Sequence, residues 1–131
     1  PFNWALFKIN PKKLTLINAG GNSIMEMADS LEDDSMACGL LRLGFGSGTF
    51  RRTKWIGIWW IGKNVSRIAA GKANTKQSAM NNMIRPFTFQ ESRSNKEDLD
   101  AAVFLESIKP KLVIDDLGGK ENSAREYRDT Q

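Results

Sequence analysis

The chain has 131 residues, of which 40% are hydrophobic, and this length suits a single domain with one core. Cys38 is the only cysteine and histidine is absent, which excludes an internal disulfide, the usual Cys/His zinc sites and the commonest general acid or base. Because Cys38 lies in an apolar run with no histidine to activate it, a buried structural thiol is favoured over a nucleophile. No apolar run approaches the ~18 residues that a membrane span requires.

The net charge of +4 is unevenly distributed along the chain. Residues 1–34 carry three basic and five acidic residues, and residues 91–131 carry seven basic and ten acidic residues. Residues 35–90, in contrast, carry nine basic residues and no acid. An acid-free block of this length predicts a surface that meets a polyanion or an acidic protein.

Residue patterns in the first half of the chain predict four strands and one helix. Asn10-Pro11 marks a turn, and Ser23 with Glu26 matches a Ser-x-x-Glu capping box at a helix start. The predicted elements are strands at 3–9, 12–17, 36–45 and 54–62 and a helix from 24 to about 32–34. The last of these strands is apolar on both faces, so we expect it to be central and to pair with the preceding strand as an antiparallel hairpin.

The second half of the chain reads as mainly helical, up to Gly118-Gly119 and a polar tail. Pro86 ends one helix, and Pro110 ends or restarts another, whose apolar stripe includes Phe104 and Ile108. The predicted elements are helical turns at 64–72, a helix from 74 or 75 to 85, a strand at 87–90 with 103–107 as the alternative, and a helix capped by Asn95 with the stripe Ala101, Phe104, Leu105 and Ile108. This order predicts a mixed sheet with helices on its faces.

The stretch GFGSGTFRRTKW, residues 44–55, resembles a phosphate-binding loop only superficially. A dinucleotide-binding loop needs a helix directly after its glycines, and a Walker loop needs Gly-Lys-Ser/Thr, which is absent. A kinase-type loop would need catalytic motifs that the chain lacks. We therefore interpret the stretch as a flexible hairpin tip that carries Arg51, Arg52 and Lys54 to the surface.

The stretch RRTKWIGIWWIGKNVSRIAAGKANTK, residues 51–76, resembles the coactosin branch of the ADF/cofilin-homology family. It has a basic cluster before the central strand, Trp-Ile-Gly at the strand's end, then Asn-Val-Ser, and Lys72 before the long helix. The resemblance implies an α+β fold of the ADF-homology/gelsolin-like type, with a central mixed five-stranded sheet flanked by helices on both faces. It implies a single domain over 1–117 and a polar, flexible tail over 118–131. The chain begins with Pro1 rather than Met, and we expect the family's first helix to precede that residue.

The same resemblance implies an actin-binding protein that associates with filaments, regulates their dynamics, performs no catalysis and needs no cofactor. Lys54 matches a family lysine that is important for filament binding, and Lys72 matches a basic position at the start of the actin-binding helix. The predicted actin-binding residues are Lys54, Arg51, Arg52, Lys72, Lys76 and Arg67. We expect a cytoplasmic monomer on the cytoskeleton, with weak phosphoinositide binding as a further option. No nucleic acid is expected as a partner.

Two other classes of function have weaker support in the sequence. A basic nucleic-acid-binding module would use Trp55, Trp59 and Trp60 for base stacking, but the strand pattern predicts that these rings are buried. An enzyme would have to use the carboxylate pairs Asp98/Asp100 or Asp115/Asp116, and neither pair has a catalytic or metal-binding partner at a meaningful spacing. We therefore predict neither catalytic nor metal-binding residues.

Overall fold

Five strands form one mixed sheet in the computed structural model, which describes residues 3–45 and 52–119. The elements are β1 (Trp4–Phe7), β2 (Leu16–Gly20), α1 (Ile24–Asp29), β3 (Met36–Phe45), β4 (Arg52–Ile61), α2 (Arg67–Asn74), α3 (Gln77–Ile84), β5 (Phe89–Arg93), a 3-10 turn (Lys96–Leu99) and α4 (Ala101–Gly119). The order across the sheet is β2-β1-β3-β4-β5, in which only the β4–β5 pair is parallel. The predicted mixed five-stranded sheet and its central hairpin are confirmed.

The second strand begins later than the sequence pattern predicts. The side-chain Oδ1 of Asn10 accepts a hydrogen bond from the backbone N–H of Lys12 at 3.0 Å, and the Asn10 carbonyl accepts one from Lys13 at 3.2 Å. This turn uses residues that the prediction placed in a strand at 12–17, and pairing with β1 instead extends from Leu16 to Gly20. The prediction missed this because the turn's side-chain bond competes with strand formation.

The last strand is β5, so the alternative placement at 103–107 is wrong, since those residues lie in α4. β5 begins two residues later than the predicted 87–90, where Phe89 aligns with Ile56 of β4. The predicted cap of the next helix is also wrong, because Asn95 makes no side-chain capping bond and precedes a 3-10 turn.

The helix α4 continues through Pro110 as one element. Within it, Phe104 and Ile108 are buried as the apolar stripe predicts, whereas Leu105 is exposed. By internal contacts the chain divides into two units, Pro1–Ala101 and Ala102–Gln131. The predicted end of the domain at 117 falls inside α4 and stays a prediction, and residues 120–131 of the predicted tail lie outside the described residues.

The two faces of the sheet carry different helices. Trp4, Leu41 and Ile56 are aligned across β1, β3 and β4, and all three are buried on the face that α1 covers. On the opposite face, called here the α2–α3 face, Cys38 of β3 and Trp59 of β4 are aligned. They pack in one cluster with buried residues of α2 and α3, namely Ala73, Met80 and Ile84.

Two adjacent tryptophans of β4 attach segments on opposite faces of the sheet. The indole N–H of Trp60 donates to the carbonyl of Glu32 at 3.0 Å, and that of Trp59 donates to the Asn74 Oδ1 at 2.8 Å. Both rings are almost fully buried, as the two-faced strand pattern predicts. Each buried indole N–H therefore has an acceptor. The Trp60 bond fixes the segment that follows α1, and the Trp59 bond fixes the end of α2.

The carboxylate of Glu26 supports α1 differently from the predicted capping box. The Ser23 hydroxyl accepts from the Glu26 backbone N–H at 3.4 Å, as predicted. The Glu26 side chain, however, accepts from the Trp4 indole at 2.7 Å and from the Asn22 side chain at 2.5 Å. The Trp4 bond, followed by the Asn22 bonds, holds the pKa of Glu26 below its usual value of 4.5.

The acid sensitivity of folding should therefore depend on Glu26. Because its folded-state pKa is lowered, its ionised form stabilises the fold fully above pH 4.5, and this contribution is lost as pH falls through the lower folded-state pKa. Glu26→Gln keeps an acceptor for Trp4 but removes the charge. We expect urea unfolding from pH 7 to pH 3 to show that the wild-type protein loses stability more steeply than the variant. Parallel stability curves would contradict this assignment.

Gly62 allows the end of β4 to approach the segment after α1. A Cβ built on Gly62 would lie 2.7 Å from the Glu32 carbonyl oxygen and closer still to the carbonyl group of Asp33. The same approach is held by a 2.8 Å hydrogen bond from the Gly62 N–H to the Ser35 carbonyl. Glycine is required here because the obstacle is backbone, which cannot rotate away.

Alanine substitutions at two glycines should have opposite effects on stability. Gly62→Ala should destabilise the fold by about 1–3 kcal/mol, because the added methyl group overpacks a fixed backbone contact. Gly71 lies inside α2 with open space around its missing Cβ, so Gly71→Ala should stabilise by about 0.5–1 kcal/mol. Denaturant unfolding measures both, and equal effects of the same sign would refute the backbone-contact argument.

Candidate functional site

The structure separates the predicted basic residues into two regions. Lys54 lies near the hairpin end of β4, whereas Arg67, Lys72 and Lys76 follow the other end of that strand. The seven residue-to-residue steps from Lys54 to Ile61 span roughly 23 Å at the rise of a strand. The predicted site is therefore not one continuous cluster.

The first region, called here the hairpin region, is the part of β4 next to the glycine loop. The β3–β4 pairing is regular up to the pair Phe45–Arg52, so a rigid two-stranded ladder supports this end. Lys54 is opposite Leu43 in that ladder and is half-buried. Arg51 lies outside the described residues, as does the side chain of Arg52.

The second region, called here the helix region, is carried by α2 and the turn that joins it to α3. Lys72 and Lys76 are both exposed and line a cavity of about 210 Å³. The rest of that lining is apolar and consists of Ile9, Met36, Ala69 and Ala73. The helix region thus offers two cations at the rim of a small apolar depression.

The charges at the start of both helices in this region are not arranged for helix stability. Neither α2 nor α3 has an acidic residue in its first turn, although acids are favoured there by the helix dipole. Arg67 is instead the first residue of α2 and is exposed, and Lys76 precedes α3 without a side-chain capping bond. The positive ends of the two helix dipoles therefore add to the positive potential of these side chains.

An amide network positions α3 on the sheet. The Gln90 Oε1 accepts from Gln77 at 2.6 Å and from Asn81 at 3.0 Å, and the Gln90 Nε2 donates back to the Asn81 Oδ1 at 2.8 Å. These three bonds fix the rotation of α3, and hence the direction in which its first turn faces. The sequence analysis missed this group, although the spacing of Gln77 and Asn81 places two amides on one helix face.

The motif Trp-Ile-Gly-Lys-Asn-Val-Ser, residues 60–66, makes structural contacts with the segment after α1 and with α2. The backbone N–H of Asn64 donates to the Asp33 carbonyl at 2.8 Å, next to the Gly62 contact described above. The Ser66 hydroxyl caps α2 by accepting from the Ala69 N–H at 3.2 Å. Lys63 forms an exposed ion pair with Asp33 at 3.8 Å. The most recognisable part of the sequence therefore directs the chain from β4 into α2.

The described residues show no arrangement suited to metal binding. Among the side chains that the structure describes, no group of three or more Cys, Asp or Glu could hold a metal ion. Cys38 is buried as predicted, and burial raises the pKa of its thiol to about 12, so the thiolate is not populated at neutral pH. Asp98 and Asp100 are exposed around a 3-10 turn. No helix in this part of the chain is long and apolar enough to cross a membrane.

The fold, with two basic regions supported by one sheet, is that of the ADF-homology domain, a class of binding module without enzymatic activity. The chain belongs to the family described as cofilin/tropomyosin-type actin-binding protein, whose model matches residues 1–109. The predicted fold class, the expected membership of the ADF/cofilin-homology family and the expected absence of catalysis are confirmed by this match and by the relatives that follow.

The relatives include coactosins from distant organisms. Coactosin of Dictyostelium discoideum is 23% identical over 123 residues, which cover 92% of this chain and 84% of that protein. The crystal structure of human coactosin-like protein superimposes with a TM-score of 0.73 at 21% identity, covering 83% of this chain and 82% of that one. The solution structure of mouse coactosin, described as an actin filament binding protein, gives a TM-score of 0.64 at 20% identity, covering 81% and 74%. The chain is therefore coactosin-like.

Proposed function

We propose that this protein binds actin filaments through the hairpin region and the helix region and regulates filament dynamics. The observation that carries the proposal is the acid-free basic block, residues 35–90, displayed on an ADF-homology fold. Actin is acidic, so cations at two places on a rigid body favour association through long-range attraction and complementary contacts. The mouse relative is described as an actin filament binding protein, which supports filaments over monomers as the partner.

The proposal includes the monomeric state, a cytoplasmic location on the cytoskeleton and weak binding of phosphoinositides to the basic residues. It does not include nucleic acid as the main partner. Trp59 and Trp60 are nearly fully buried and have their indole N–H groups occupied, so two of the three candidate rings cannot stack on bases.

Lys54 provides the first test. Lys54→Ala should weaken filament co-sedimentation by about fivefold or more in apparent Kd, as expected for truncation of an energetically important contact. Raising the salt concentration should weaken binding by the wild-type protein, because exposed charges are screened over about 10 Å at 0.1 M. Lys96→Ala removes an equal charge from an exposed position outside the acid-free block and should bind normally. Unchanged pelleting of a folded Lys54→Ala variant would count against the proposal.

The helix region needs a separate test, because it lies apart from Lys54. Lys72→Ala combined with Lys76→Ala should reduce filament binding by about tenfold without lowering stability, since both side chains are exposed. A matched control is Lys12→Ala with Lys13→Ala, which removes two exposed charges from the β1–β2 turn. Co-sedimentation and thermal unfolding of both variants decide the result. Equal binding by the two variants would show that only net charge matters.

A further inference from the structure

Two arginine guanidinium groups lie over aromatic rings next to the hairpin region, within cation–π distance. The Arg42 Cζ lies 6.0 Å from the centroid of the Trp55 ring, and the Arg85 Cζ lies 5.7 Å from that of the Phe87 ring. Arg42 and Trp55 are direct neighbours across the β3–β4 ladder and in phase with Trp59, so both belong to the α2–α3 face. None of these four residues was among the predicted binding residues.

The aromatic residues of both pairs, Trp55 and Phe87, line one groove. It has a volume of about 230 Å³ and is lined by Thr53, Lys54, Trp55, Pro86, Phe87 and Thr88. A 2.7 Å hydrogen bond from the Thr88 N–H to the Trp55 carbonyl holds its two sides together. The missing side chain of Gly57 makes room for Phe87, whose ring lies 3.2 Å from where a Cβ would be. Backbone contacts therefore fix both rings at the groove that Lys54 also lines.

Among the residues that line this groove, Lys54 carries the charge. None of its lining residues is acidic, and within residues 3–45 and 52–119 neither guanidinium forms an ion pair. A guanidinium held over a ring by a cation–π contact can still donate its N–H groups to a carboxylate in bidentate fashion. The contact with the ring also restrains a long side chain before a partner arrives, which lowers the ordering cost of binding.

We propose that Arg42 and Arg85, each backed by its aromatic ring, form with Lys54 a contact surface for carboxylate side chains of the filament. This inference rests on the proposed function and adds a third contact to it. Protein interfaces are enriched in arginine and aromatic residues, and residues that dominate binding energy are drawn from the same types. The acid-free groove supplies the charge complementarity that selects an acidic protein surface as its occupant.

Single-stranded nucleic acid and phosphoinositide headgroups are the competing occupants. Base stacking needs uncovered rings, whereas Trp55 and Phe87 each have a guanidinium over the ring. A polyphosphate headgroup would be bound by any cluster of cations, and the fixed aromatic backing adds nothing to its recognition. The two guanidinium–ring contacts thus favour carboxylates on a protein.

The experiment compares filament co-sedimentation of the wild-type chain with that of Arg85→Gln, Arg85→Lys and the double variant Arg42→Gln/Arg85→Gln. The control Lys12→Gln/Lys96→Gln removes the same two charges from exposed positions outside the groove. We expect the double variant to raise the apparent Kd by about tenfold or more, and the control to change it by less than about twofold. Arg85→Lys should also weaken binding, because lysine keeps the charge but lacks the planar fork. Arg85 is exposed and outside the strands, so its variants test the surface without disturbing the β3–β4 ladder.

Each other outcome overturns a defined part of the argument. If the wild-type protein does not pellet with filaments, the proposed function fails and this surface fails with it. If the wild-type protein pellets, Lys54→Ala weakens binding and the double variant binds normally, only the surface is wrong. Normal binding by Arg85→Lys would show that only the charge of Arg85 matters and would contradict the role of its planar guanidinium. Two further assays measure quenching of tryptophan fluorescence by a single-stranded oligonucleotide and binding to phosphoinositide vesicles. If the double variant loses either signal while it still pellets with filaments, the groove is assigned to that ligand instead.

Discussion

The fold depends on two adjacent indole groups in β4 that donate hydrogen bonds on opposite sides of the sheet. Trp60 binds the Glu32 carbonyl and so fixes the segment after α1, while Trp59 binds Asn74 and so fixes the end of α2. Both donors are buried, and a buried N–H without an acceptor costs on the order of 1–3 kcal/mol. One strand therefore decides where the helices on both faces can sit, and the positions of the basic residues follow from it.

The residues that build the fold between positions 52 and 76 differ from those that we propose to bind the filament. Buried apolar residues of this stretch, such as Ile56 and Trp59, pack in the core, Ser66 caps α2, and Gly62 allows a close backbone contact. Lys63, Arg67, Lys72 and Lys76 are exposed, and Arg67 occupies a helix end where the dipole disfavours it. Under the proposed function, a contact with the filament offsets this small cost in helix stability. This division also explains why the motif that identifies the family is mostly structural.

Local patterns predicted the central hairpin, α1 and the helices after β4 because their signals lie within a few neighbouring residues. The predicted start of β2 was wrong because a hydrogen bond to the Asn10 side chain competes with the strand. The Glu26 side chain does not complete the predicted capping box, because it accepts a hydrogen bond from Trp4, which is distant in sequence. Asn95 likewise looks like a cap in sequence but makes no capping bond. These errors arise where a contact distant in sequence, or a competing local bond, overrides the pattern.

The amide network and the two arginine–ring contacts could not be predicted from the sequence, because they depend on the pairing register of β5 with β4. Gln90 meets α3, and Phe87 meets Gly57, only because β5 runs parallel to β4 in one particular register. A shift by one residue would turn Gln90 to the other face and remove the groove beside Trp55. Under the proposed function, that register does more than complete the sheet. This register places Arg85, at the end of α3, next to the hairpin region. The connection between β4 and β5 therefore carries the helix region near one end of β4 and Arg85 near the other end of β4. A rigid element of this kind sets the spacing between contacts, which an acidic polymer with repeated subunits can match and a small anion cannot.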